Sequence, residues 1–309
     1  MSPNAILINS TGIEKRDITM DSNLESVILE PDSAFDNRLG QILLKEGKIK
    51  EKDVKRIITY AQKKKIRFGE AAIKLRAASR NDVERAIAAH FDYPYLLKNE
   101  GNLSKELVSA YRPFTTKAED IRNLRSQLIS KWFNDEHNCL AIVSPNSGSG
   151  RSYLAANLAI AFSQLGHKTL LVDADLQDAR QHKIFGLDNS IGLSTLLVGN
   201  DDLDLPIRSI ELINRLYVMT AGAAPPNPSE LLSREKFKQL KSVVSSRFDV
   251  VIFDTSPGEL GNAAEAVAEA CGGALMVLVP NRTHHTDAST FVDRVNDRAT
   301  VVGAVFNKP

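Results

Sequence analysis

Six short runs in the C-terminal part of the chain are apolar almost from end to end instead of alternating: residues 140–143, 169–172, 216–219, 250–253, 274–279 and 301–306. A strand covered on one face alternates, whereas a strand covered on both faces reads as a continuous apolar run. Stretches of helical periodicity separate such runs, and a strand–helix–strand crossover within one sheet is right-handed and joins parallel strands. The pattern predicts a three-layer α/β domain over 113–309 with a mostly parallel sheet. Its leading helix is expected over 117–133, with Ile121, Leu124, Leu128 and Trp132 on one face.

The N-terminal part has a different organisation. Residues 1–34 hold no sustained period and are expected to form a mobile arm. From Arg38 the chain repeats itself at an offset of 29 residues: Arg38-Leu39-Gly40 aligns with Arg67-Phe68-Gly69, Asp53-Val54 with Asp82-Val83, and Ile58 with Ile87. Each repeat reads as helix–turn–helix. Gly47 suits the first turn, and Ser79 with Asp82 forms a capping-box-like start in the second repeat. A small all-α domain over 35–95 is predicted. Residues 96–112, after Tyr93-Pro94-Tyr95, are expected to be a linker.

Composition narrows the function classes. With 39 Lys and Arg against 38 Asp and Glu the net charge is +1, so no global field draws in nucleic acid. Six His and two Cys are too scattered for a zinc module. Cys139 and Cys271 sit in apolar runs, as reduced core thiols of a cytoplasmic protein do. No run nears the ~20 apolar residues that cross a bilayer, and the N-terminus lacks a basic-then-apolar signal pattern.

The first predicted strand of the α/β domain leads into Ser144-Pro145-Asn146-Ser147-Gly148-Ser149-Gly150-Arg151-Ser152, with a helix at once behind it. A glycine-rich turn between strand and helix lets backbone N–H groups surround phosphate oxygens, and the helix N-terminus adds its positive end. Ser152 stands where a phosphate-loop hydroxyl ligates Mg²⁺, and Arg151 where the phosphate-binding Lys stands. Pro145 replaces the first Gly of the strict pattern. Two other strands run into Asp173-Ala174-Asp175 and Asp254-Thr255-Ser256-Pro257. Carboxylates at the C-terminal ends of parallel strands lie on the edge where open α/β sheets bind ligands. Together these features predict a nucleotide site.

Asp173-Ala174-Asp175 after an aliphatic run resembles the second Walker motif of bacterial tyrosine kinases, which share the P-loop fold of ParA/MinD ATPases. Glu119-x-x-Arg122-x-x-Arg125 resembles the family's oligomerisation motif. Pro225 to Leu232 resembles its proline-rich segment, and Gly303 to Asn307 its G-x-V-L-N strand. The run from Gly150 to Ala159, with Arg for Lys, is closest to the EpsG-type subgroup that accompanies membrane chain-length-determinant (Wzz-like) proteins in exopolysaccharide operons. The resemblance implies an ATP- and Mg²⁺-dependent protein-tyrosine autokinase. Gly148, Ser149, Gly150, Arg151, Ser152, Tyr153 and Asn307 would bind nucleotide, with Arg151 on the β/γ-phosphates. Ser152, Asp175 and Asp254 would organise the metal, and Asp173 would be the base for a tyrosine hydroxyl. Glu119, Arg122 and Arg125 would join copies of the chain, and a membrane partner would recruit it to the inner face of the membrane.

Asn146 stands where ParA/MinD switches carry a signature Lys, which counts against that rival. Two departures qualify the match to the tyrosine kinases. Gln177, Ala179 and Arg180 replace the usual continuation of the second Walker motif. The six tyrosines (Tyr60, Tyr93, Tyr95, Tyr111, Tyr153, Tyr217) form no cluster like the family's tyrosine-rich tail. A ParA/MinD-like switch and a catalytically reduced ATP-binding regulator are the alternatives. The N-terminal repeats resemble the N-terminal domain of type II secretion and pilus ATPases. That likeness implies either protein docking or a cyclic di-GMP site at Arg38, Arg67, Gly40 and Gly69.

Overall fold

The computed structural model describes residues 33–90, 96, 101–199 and 205–308. They divide into two compact units, one ending before residue 96 and one running from it. Residues 1–32 of the expected arm, and Tyr93 and Tyr95, lie outside the described residues, while Ser33 and Ala34 already belong to the first helix.

Among the described residues the N-terminal unit has four helices: α1 (Ser33–Lys45), α2 (Glu51–Lys64), α3 (Phe68–Lys74) and α4 (Arg80–His90). Gly47, at φ 67°, makes the turn after α1. At the start of α4 the Asp82 N–H donates to Ser79 Oγ and the Ser79 N–H to Asp82 Oδ2, each at 3.1 Å, a reciprocal cap for two otherwise unpaired donors. Leu39, Leu43, Ile57, Phe68, Ala71, Ala72 and Ala86 fill the core. Arg38 and Arg67 are exposed. The close approach that Gly40 and Gly69 permit is used inside the unit. A Cβ on Gly40 would press on the Phe68 ring, and one on Gly69 would collide with Val83 Cγ1 at 2.7 Å.

The C-terminal unit opens with α5 (Val108–Tyr111) and α6 (Thr116–Lys131). It continues through β1 (Cys139–Val143), α7 (Arg151–Gln164), β2 (Thr169–Ala174), α8 (Gln181–Phe185), α9 (Leu193–Val198), β3 (Ile207–Ser209) and β4 (Leu216–Met219). Then come α10 (Pro228–Ser233), α11 (Glu235–Arg247), β5 (Val250–Thr255), α12 (Ala263–Cys271), β6 (Gly273–Leu278), α13 (His285–Asn296) and β7 (Thr300–Phe306). The seven-stranded sheet has the order β3-β4-β2-β5-β1-β6-β7. All pairs are parallel except β3 with β4.

Side chains of each central strand alternate between two cores. From β1, Leu140 and Ile142 face the side holding α6 and α7, while Cys139, Ala141 and Val143 face the side holding α11, α12 and α13. This is why the six runs are apolar throughout. The antiparallel edge strand β3 escapes the same reading because it has three residues, Arg208 and Ser209 among them, and is largely exposed. Short polar strands of this kind blunt a sheet edge. Cys139 and Cys271 are both buried free thiols.

The expectation of a linker over 96–112 is corrected. Leu107, Ala110 and Tyr111 are buried against α7. Asn157 on α7 fastens this segment: its Oδ1 accepts the Ser109 N–H at 2.9 Å and its Nδ2 donates to Glu106 O at 3.1 Å. Gln164 Nε2 also donates to Ser109 O at 2.8 Å. The turn-rich composition of 101–104 concealed a covering layer. Leu107→Ala should therefore cost about 2–5 kcal/mol, read as a lowered urea midpoint in the fluorescence of Trp132, the single tryptophan; an unchanged midpoint would restore the linker reading.

Candidate functional site

Strand β1 stops at Val143, and the loop 144–150 carries the chain into α7. Gly148 and Gly150 have φ of 68° and 90°, the left-handed region in which a Cβ is costly. A side chain at 150 would also run into Asn307 Nδ2. Asn307, just past β7, donates from that nitrogen to Ser149 O at 2.9 Å and from its N–H to Leu278 O at 2.8 Å. It thereby clamps the glycine loop to the ends of β6 and β7. Ser149 and Ser152 are buried, while Gly148 is exposed at the rim.

Strands β2 and β5 are adjacent and parallel, with Asp173 directly paired with Asp254. Both carboxylates are fully buried. Asp173 Oδ2 accepts the N–H groups of Gln181 at 2.8 Å and Arg180 at 3.1 Å, and its Oδ1 accepts that of Asp175 at 3.3 Å. Burial, then the charge of Asp254, pushes the Asp173 carboxyl well above the usual range. Asp254 Oδ2 accepts Gln181 Nε2 at 2.8 Å, whereas its Oδ1 is buried with no hydrogen-bond partner. Burial raises the Asp254 carboxyl to about 6, against the opposing pull of Gln181, Arg151 and the nearby Ser152 hydroxyl. Asp175 is nearly buried and accepts the Asp178 N–H at 3.0 Å.

Arg151 lies under the loop, only 7% exposed. Its Nε donates to Thr255 O at 2.8 Å, and its Nη1 to Asn146 O at 3.0 Å, Ser149 Oγ at 3.2 Å and Ser144 Oγ. Its Nη2 is 4.0 Å from Asp175 Oδ2. The guanidinium thus neutralises the buried carboxylates and braces the loop from within. Burial lowers its pKa, and the facing acids raise it.

Four participants escaped the sequence reading. Gln181 bridges Asp254 to Ser152 O at 3.1 Å, a role no motif spacing announces. Glu259 Oε1 accepts the Ser147 N–H at 2.7 Å and so occupies one donor of the loop. Arg282 lies against Gly148. Asp120 lines a cleft with Lys117, Ile121, Tyr153, Val305 and Asn307. Its Oδ2 is buried without a partner, and burial raises its carboxyl. The cleft adjoins the loop through Tyr153 and Asn307. Of the expected subunit contacts, Glu119 and Arg122 pair with each other, and Arg125 Nη1 donates to Ala161 O at 2.8 Å.

Among the described residues no group of three or more His, Cys, Asp or Glu forms a metal cage. The donor set fits Mg²⁺ nonetheless, because that ion takes one or two carboxylates together with substrate phosphates and water. The unpartnered Oδ1 of Asp254 beside Ser152 supplies the protein share.

Comparison with known proteins agrees with this geometry. The family model described as the CobQ/CobB/MinD/ParA nucleotide binding domain matches residues 140–308. The tyrosine-protein kinase YwqD of Bacillus subtilis is 30% identical over 69% of this chain and 90% of its own length. The chain belongs to the bacterial tyrosine-protein kinase family. CapB of Staphylococcus aureus is 32% identical over 64% of this chain and 86% of its own. The kinase domain of the Escherichia coli tyrosine kinase ETK superposes with a TM-score of 0.64 at 30% identity, over 68% of this chain and 82% of that one. The residues matched by that nucleotide-binding model include the glycine loop, Asp173 and Asp254.

Two outcomes follow from the site. An acid whose folded pKa exceeds its unfolded value favours the fold when protonated. Asp254 should therefore make thermal stability fall as pH rises from about 4 to about 6, and Asp254→Asn should flatten that part of a melting-temperature profile. Gly150→Ala should abolish nucleotide protection against thermal unfolding, since the added methyl expels Asn307 from the loop; protection equal to wild type would contradict the clamp.

Proposed function

We propose that the chain is an ATP- and Mg²⁺-dependent protein-tyrosine autokinase. The observation that carries this reading is the pairing of buried Asp173 and Asp254 in register beside the glycine loop, with one Asp254 oxygen unpartnered. The N–H groups of 148–152 and the start of α7 face the phosphates. The base would enter the cleft bounded by Tyr153, Asp120 and Asn307, where the unpartnered Asp120 oxygen can accept the exocyclic amine of adenine. Asp254 and Ser152 would hold Mg²⁺, which when bound neutralises charge on the transferring phosphoryl group.

The acceptor tyrosine must give up a proton from a group whose ordinary pKa is near 10. Asp173 is the acceptor that family likeness implies. It is fully buried here and takes three backbone N–H groups from 175–181, so a tyrosine hydroxyl reaches it only when the covering chain opens. Among the described residues Tyr60, Tyr153 and Tyr217 are half-buried and Tyr111 is buried.

The reading extends to exopolysaccharide production with a membrane chain-length-determinant partner. Among the described residues no helix is long and apolar enough to cross a membrane, so attachment would come through such a partner. Self-association through Glu119, Arg122 and Arg125 belongs to the same proposal. Glu119 is exposed, so re-pairing it with a second copy costs little.

The test is incubation with Mg²⁺ and γ-labelled ATP, followed by phosphotyrosine mapping. Wild-type protein should label on tyrosine, and Asp173→Asn should reduce labelling by about 10²–10⁴-fold. Phosphate release without labelling would favour a ParA/MinD-like switch. Binding with neither release nor labelling would favour an ATP-binding regulator, a reading that the fully engaged Nε and Nη1 of Arg151 supports.

A further inference from the structure

Arg151 occupies the position of the cation that reaches the terminal phosphates in a strict phosphate loop, yet its guanidinium is committed elsewhere. Nε and Nη1 serve four acceptors on the loop and on Thr255, and Nη2 faces Asp175. Turning it outward would strip the buried Asp175 and Asp254 of their compensating charge, and breaking a buried ion pair on one side is strongly unfavourable. A nucleotide triphosphate arriving at the loop therefore needs another cation.

One stands at the rim. Arg282 follows β6, the neighbour of β1 in the sheet. Its turn is fixed: the N–H groups of Arg282 and Thr283 donate to Val279 O at 3.2 and 3.0 Å, and the Val279 N–H donates to Thr283 Oγ1 at 3.1 Å. Asn281 sits in the left-handed region at φ 62°, a conformation asparagine tolerates. The turn lays the guanidinium on the glycine loop. A Cβ built on Gly148 would stand 3.1 Å from Arg282 Nη2 and 3.2 Å from Nη1. The Arg282 side chain is exposed, and among the described residues no hydrogen bond or ion pair engages its guanidinium. A planar fork of donors without a carboxylate partner, held against a phosphate-binding loop, matches phosphate oxygens bidentately.

We propose that Arg282 binds the terminal phosphates of ATP, taking the place that Arg151 leaves because it braces the loop. The proposal rests on the nucleotide-site reading above.

The test is titration of the full chain with a fluorescent ATP analogue and Mg²⁺, using wild type, Arg282→Gln and Arg282→Lys with matched unfolding midpoints. Loss of charge-assisted hydrogen bonds should weaken binding of the analogue by roughly 10- to 100-fold in Arg282→Gln. Arg282→Lys should recover part of that loss, and the KM for ATP should rise in parallel. Wild-type affinity in Arg282→Gln would overturn the proposal while leaving the nucleotide site standing. Absence of binding by the wild-type chain would overturn the nucleotide reading and this proposal with it.

Discussion

Two carboxylates buried side by side at the ends of β2 and β5 are the constraint around which the larger unit is arranged. Burying an ionised carboxylate without partners is prohibitive, so the surrounding chain supplies them. Arg151 arrives from the start of α7, Gln181 from α8, and the N–H groups of 175, 180 and 181 from the turn between β2 and α8. These partners come from two segments, the glycine loop with the start of α7 and the turn leading into α8. Satisfying Asp173 and Asp254 therefore fixes the glycine loop, the second Walker turn and α8 in one arrangement. Asp254 keeps one oxygen without a partner, which is where the protein alone does not complete the set.

This arrangement also accounts for the arginine at the lysine position. An ammonium could reach phosphate but could not reach Thr255 O, Asn146 O, Ser144 Oγ and Ser149 Oγ at once, as the Arg151 fork does. The loop gains rigidity and loses a mobile cation. Glu259, on the Ser147 N–H, leaves the same rim short of one donor. Charge and donors at this site are distributed differently from what the residue types alone suggest.

The sheet was legible because its strands are covered on both faces, so burial writes itself into the sequence as uninterrupted Val, Ile, Leu and Ala. Strands β1, β2, β4, β5, β6 and β7 all carry that signature, and β3 at the edge does not. The glycine loop and the aspartates were legible because strained turns and strand-end carboxylates demand particular residue types at fixed spacing. Gln181, Glu259, Asp120 and Arg282 were not, because each acts through a contact made by folding, far from its partner in sequence and free of any spacing rule. Residues 101–112 misled for a related reason. Turn-forming residues announce a change of direction, and only tertiary packing shows that Leu107 and Tyr111 then go inward.

The two glycines of the N-terminal repeat tie its two copies to one another. Leu39-Gly40 and Phe68-Gly69 are equivalent positions of the duplicated sequence. Phe68 lies over Gly40, and Leu39 lies over Gly69 at 3.4 Å from its would-be Cβ. Each copy thus meets the other at its glycine, with Val83 of the second copy standing closer still to Gly69. A side chain added at either glycine would be felt at the seam between the two copies, so the repeat is held together where its backbone is barest.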